Sequence, residues 1–108
     1  MALEAIMIAD KNPYGLDLSA AYVEIERIDY STNHGYLEIS LKIYKDINAD
    51  QPLITKIIKW KPPIDKLKKL RDAIEAACYE HLKTLGIFDS TKEAAITKDQ
   101  IIFDGGLE

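Results

Sequence analysis

The sequence predicts an α+β domain in which an antiparallel β-sheet of three to four strands is packed by one long amphipathic helix. Three observations predict it. Residues 36–44 alternate apolar and polar side chains, the period of a half-buried strand. Residues 53–60 are rich in β-branched side chains, which favour extended structure. Residues 64–85 place apolar side chains at 3.6-residue spacing, the stripe of a helix lying on a core. The 108 residues fit a single domain spanning 1–108, because domains most often contain about 100–150 residues.

Taken in order, residues 3–8 offer a short strand, and Asn12-Pro13-Tyr14-Gly15 supplies turn chemistry, with Pro presetting φ and Gly closing the turn. A β-hairpin over about 21–44 follows. Its second strand shows Leu37, Ile39, Leu41 and Ile43 on one face and Tyr36, Glu38, Ser40, Lys42 and Tyr44 on the other. Its first strand changes parity between Ile25 and Ile28, which a β-bulge near Glu26-Arg27 would absorb. Ser31 to Gly35 forms the connection. A third strand covers about 53–60 and stops at Pro62-Pro63, which also suits a helix start. The helix of about 64–85 carries Ile64, Leu67, Leu70, Ile74, Ala77, Cys78, His81, Leu82 and Leu85 on one stripe, and Gly86 fits its C-terminal cap. Ser90-Thr91-Lys92-Glu93 has the pattern of a capping box and would start a short helical turn. Ile101-Ile102-Phe103 would add a last strand. Leu107-Glu108, after two glycines, reads as a cloning scar.

Cys78 is the single cysteine, so no intramolecular disulfide and no multi-cysteine zinc site is expected. The N-terminal residues lack a basic n-region, and no apolar run approaches the roughly 18 residues of a membrane span. A soluble protein of a bacterial cytoplasm or of a virion is the expectation, with no membrane partner.

Chemistry-bearing patterns are sparse. His34 sits in the hairpin connection, where a turn role is expected. Cys78 and His81 stand three residues apart on a helix and would make half of a metal site, but no second pair exists and a core role is the simpler reading. No nucleophile elbow or phosphate loop is present, and Asp10, Asn12 and Gly15 only faintly resemble a calcium loop. The expectation is a non-enzyme without cofactor or metal.

Charge is the more informative feature. The net charge is −4, yet residues 56–71 hold seven basic side chains against one acid, between two acidic stretches. Lys56, Lys59, Lys61, Lys66, Lys68, Lys69 and Arg71, with Trp60 interleaved, form one candidate interaction surface. A solvated face or internal pairing with Glu24, Glu26 or Glu38, a protein interface, and nucleic-acid or other polyanion binding are the alternatives, in that order. Tyr22, Tyr36 and Tyr44, with Tyr30, form a second candidate on the outward face of the hairpin, where tyrosines suit an interface. The competing reading is a cover drawn from residues 1–20 or 95–103.

The order of features resembles a family of small proteins from phage and prophage tail modules. The resemblance is carried by a short strand and Gly-containing turn over Met1–Leu18, and by the segment Ala21-Tyr22-Val23-Glu24-Ile25-Glu26-Arg27-Ile28. It continues in the strand running into a Tyr-Lys-Asp stretch over Leu37–Asp46, and in Tyr79-Glu80-His81-Leu82-Lys83-Thr84-Leu85-Gly86-Ile87-Phe88. The basic run Lys56–Arg71 and Pro62-Pro63 depart from it. The resemblance implies a virion or assembly component acting through protein–protein contacts, with tail components or copies of itself as partners, and it carries over no catalytic residue.

Overall fold

Strand β2 (Leu18–Ser31) organises the molecule, because every other strand but two pairs with it directly. The computed structural model describes residues 2–31, 36–61, 71–98 and 101–105. Along one edge β2 pairs antiparallel with β3 (Tyr36–Tyr44), from Tyr22↔Tyr44 to Ser31↔Tyr36. Ile25 opposes Leu41 while Arg27 opposes Ser40, so Glu26 is the extra residue of a β-bulge. That bulge absorbs the parity break expected near Glu26-Arg27. It returns Ile28 to the face of Val23 and Ile25, and all three are buried.

The opposite edge of β2 is shared. β1 (Leu3–Met7) runs antiparallel beside its first half, from Leu3↔Val23 to Met7↔Leu18. A final strand, β6 (Ile102–Gly105), runs parallel beside its second half, from Arg27↔Ile102 to Tyr30↔Gly105. On β3 lies β4 (Ile54–Trp60), and on β1 lies β5 (Ser90–Glu93). The order is β4-β3-β2-β1-β5, with β6 against β2.

The α+β class and the largely antiparallel pairing agree with the sequence reading, but the described residues contain six strands rather than three to four. The excess lies in short segments whose partners are distant in the chain. Ser90–Glu93 is a strand, not the start of a helical turn. The open backbone edge of β1 supplies hydrogen-bond partners from Leu3↔Glu93 to Ile6↔Ser90, extended by Asp89 N–H to Ile6 O at 2.7 Å and Ala94 N–H to Ala2 O at 2.9 Å. Those bonds outweigh a local capping preference worth about 1 kcal/mol.

Among the described residues one α-helix, α1 (Arg71–Lys83), packs its buried side chains into the core on the apolar face of the sheet. The expected helix start, with Pro62-Pro63, Ile64, Leu67 and Leu70, lies outside the described residues, as do Thr32 to Gly35 of the hairpin connection. Within α1, Ile74, Cys78, Tyr79 and Leu82 are buried in the same core cluster as Leu37, Ile39, Leu41 and Ile43 of β3. Burying those four β3 side chains contributes on the order of 6–12 kcal/mol before chain entropy is charged. The helix ends before Leu85, slightly earlier than expected. Its last turn tightens through Thr84 N–H to His81 O at 3.0 Å and Leu85 N–H to Leu82 O at 3.3 Å. Gly86 then takes φ +77°, where a side chain would be strained.

Two side chains tie the loop between β1 and β2, Asp17, whose Oδ1 accepts from Ala9 N–H at 2.7 Å, and Asn12. Asn12 donates from Nδ2 to Ile8 O and Leu16 O at 2.6 and 2.9 Å, and its Oδ1 accepts from Tyr14 and Leu16 N–H at 3.0 and 3.2 Å. Gly15 completes the expected turn at φ +64°. With Asn12 spent on the backbone, the faint calcium-loop pattern is accounted for by loop structure, and Tyr14 is held toward β4.

Candidate interaction surface at the outer strand

The period of two along β4 decides where the basic residues go. Residues opposite one another on neighbouring strands point to the same face. Lys56 pairs with Leu41 and Trp60 with Leu37, on the helix-covered face, whereas Lys59 pairs with Glu38 on the other face. The lysines and the tryptophan that stand together in sequence are therefore divided by the sheet.

Each makes a different contact. The Trp60 ring stacks on His81, with centroids 4.5 Å apart and planes 9° from parallel. Partial burial holds His81 below the ordinary histidine pKa. Lys56 Nζ lies 5.7 Å from the centre of the Tyr14 ring, and Lys59 Nζ lies 5.4 Å from that of Tyr36. Lys61 is exposed just past the strand. Arg71 opens α1, and Lys66, Lys68 and Lys69 lie outside the described residues.

The tyrosine surface needs correction. Tyr22 is 1% and Tyr44 5% exposed, so neither is available to a partner. Their rings meet edge to face at 5.6 Å under a cover of Ala2, Ile47, Ala49 and Ala94. Lys98 closes this cover. Its Nζ sits 5.1 and 4.6 Å from the two ring centres and donates to Ala49 O at 2.6 Å. Its backbone N–H donates to the Tyr22 hydroxyl at 2.7 Å, and that hydroxyl donates to Glu24 Oε2 at 2.9 Å. Ala2 and Lys98 belong to the segments 1–20 and 95–103 expected to compete for this role, whereas Ile47, Ala49 and Ala94 lie outside them. Tyr36, by contrast, is only half-buried.

Cys78 is fully enclosed by the core, and burial pushes its thiol up to about 12, so it carries no thiolate at neutral pH. The Cys78–His81 pair is spent on packing: one side chain is in the core and the other is laid on Trp60. Among the described residues no cluster of three metal-ligating side chains occurs, and no helix is long and apolar enough to cross a membrane.

What gathers at one place is the outer edge of β4. Among the described residues no strand pairs with the side of β4 away from β3. Ile57 is 61% exposed on this strand and Leu53, just before it, 51%. A hollow of about 280 Å³ lies beside the edge, lined by Pro13, Tyr14, Lys56, Ile58, Leu85 and Ile87. A shallower one of about 600 Å³ is lined by Glu26, Ser40, Thr55 and Ile57. Beside it Lys42 pairs with Glu26 at 3.1 Å, a hydrogen bond that raises the lysine pKa. Lysines on an edge strand also have a plain structural use, since they discourage unwanted edge-to-edge pairing.

No known family model matches the chain, and no curated protein or solved structure matches it significantly.

Proposed function

We propose that this protein is a non-enzymatic structural or assembly component of a phage- or prophage-tail-like particle, acting through contacts with other proteins and with copies of itself. The observation that supports this reading is the edge of β4, which no strand among the described residues covers and where two large apolar side chains, Leu53 and Ile57, stand exposed. Exposed apolar groups on a backbone edge are a liability in isolation and an asset in an assembly. The resemblance to tail-module proteins supplies the class of assembly.

The alternative, a small module binding nucleic acid or another polyanion, is less well supported. Such binding uses cations along a phosphate track with an aromatic face open for stacking. Here the Trp60 ring is occupied by His81 and lies across the sheet from Lys59.

Sedimentation velocity over a wide concentration range, alone and mixed with proteins encoded beside it, tests the proposal. Concentration-dependent oligomers or a defined complex with a tail protein support it. A strict monomer that ignores those proteins overturns it. Salt-sensitive binding of a single-stranded oligonucleotide at about 50 mM salt would favour the alternative.

A further inference from the structure

We propose that the edge of β4 is a strand-addition site for an extended, acidic segment of a protein partner. The inference rests on the reading of this chain as an assembly protein and names the surface and the chemistry it takes.

Three observations converge on it. First, β4 (Ile54–Trp60) ends the sheet, so one alternate set of its N–H and C=O groups faces away from β3 with no strand among the described residues to receive it. Second, the edge has a hollow on each side. An added strand points successive side chains to opposite faces, so main-chain bonds supply affinity and the hollows read alternate side chains. The hollow beside Tyr14, Ile58, Leu85 and Ile87 is largely apolar and takes an aliphatic side chain. Among the described residues, the Tyr14 hydroxyl is a buried side-chain polar atom without a hydrogen-bond partner, and Tyr14 is one of the residues that line this hollow. The second hollow mixes polar Glu26, Ser40 and Thr55 with Leu41, Lys56 and Ile57, and lies open to the alternate side chains of an added strand.

Third, the charge selects the occupant. Lys56, Lys59 and Lys61 stand along this edge, all exposed. A second copy docking edge to edge would bring three lysines from each side to one seam, where they repel. A strand with its acids on the Lys59 face is attracted to the same positive edge. The occupant is therefore a different segment, alternating aliphatic with acidic residues.

The test is a titration of the isotopically labelled protein with a capped ten-residue peptide alternating leucine with glutamate and threonine, followed by amide shifts and hydrogen exchange. A lysine-for-glutamate peptide serves as control. The expected result is shifts centred on Ile54–Trp60 and Tyr14, and slowed exchange at the alternate set of β4 amides not bonded to β3. Affinity should fall at least tenfold in Lys56→Ala/Lys59→Ala, both at exposed positions, with unchanged exchange at β3 showing that the sheet is retained. Equal binding of the basic peptide, protection at β5 instead of β4, or no shifts at millimolar peptide would overturn the proposal. Protection of β4 by high protein concentration alone would identify a second copy as the occupant and overturn it also. If the chain joins a tail partner while β4 stays silent, this inference fails and the assembly reading stands.

Discussion

The Tyr79 hydroxyl accepts a hydrogen bond from the Ile25 backbone N–H at 2.9 Å, joining the helix to the middle of the longest strand. The position has a reason. On that edge of β2, β1 pairs as far as Val23 and β6 begins opposite Arg27, so Ile25 falls in the interval between two strands. A buried N–H there needs a partner, and a side chain from α1 provides it. Burial raises the phenol pKa well above its ordinary value, so the group stays neutral.

Tyr79→Phe keeps the ring and removes the acceptor. Leaving the Ile25 N–H buried and unpaired costs about 1–3 kcal/mol, which urea denaturation would read as a lower midpoint with unchanged m-value. A change within about 0.5 kcal/mol would show that the bond contributes nothing.

Tyr22→Phe removes the hydroxyl that donates to Glu24 and accepts from Lys98 N–H. Glu24 is 2% exposed, so losing a donor to a buried acid should cost about 1.5–3 kcal/mol in the same assay. A surface tyrosine would tolerate the change, so the outcome separates a core role from the interface role its composition suggests.

His81 makes stability depend on pH in a defined direction. Its folded pKa lies below its unfolded value, so the unfolded chain binds more protons in the window just below pH 6.5. The stability contribution is therefore full above about pH 6.5 and is lost as pH falls toward the folded pKa. An NMR titration should place the His81 midpoint below that of a model peptide, and His81→Asn should remove this part of the acid slope. A midpoint at or above the peptide value would contradict the partial burial of His81.

Cys78 should resist thiol reagents at pH 8 in the native state and react only on unfolding, because it is fully buried with its thiol pushed up to about 12. Fast labelling of native protein would show that the core opens at α1.

Much of this architecture is legible in the sequence where neighbours along the chain make the pattern. The alternation of β3, the stripe through Ile74, Cys78 and Leu82, and even the bulge at Glu26 follow from local periodicity. Less legible is whatever depends on distant partners. The strand at Ser90–Glu93 forms because β1 offers it an edge, and nothing in four polar residues announces that. Tyr22 and Tyr44 have the same local look whether buried or exposed; their burial is decided by Ile47, Ala49, Ala94 and Lys98. Tyr79 falls beside the apolar stripe, yet it is buried because its hydroxyl serves β2. The division of Lys56 and Trp60 from Lys59 follows from strand period alone, and reading charge as a run conceals it.

The claim that the outer strand is where this protein meets its partners is tested most directly by one substitution. Ile57→Glu changes a side chain that is 61% exposed, and Ile96→Glu, at 57% exposed in a connecting segment, is the matched control. Both variants should keep native stability within about 0.5 kcal/mol. By sedimentation velocity, Ile57→Glu should lose the partner complex that the wild type forms, while Ile96→Glu retains it. Retention of the complex by Ile57→Glu, or its equal loss in Ile96→Glu, would contradict the account.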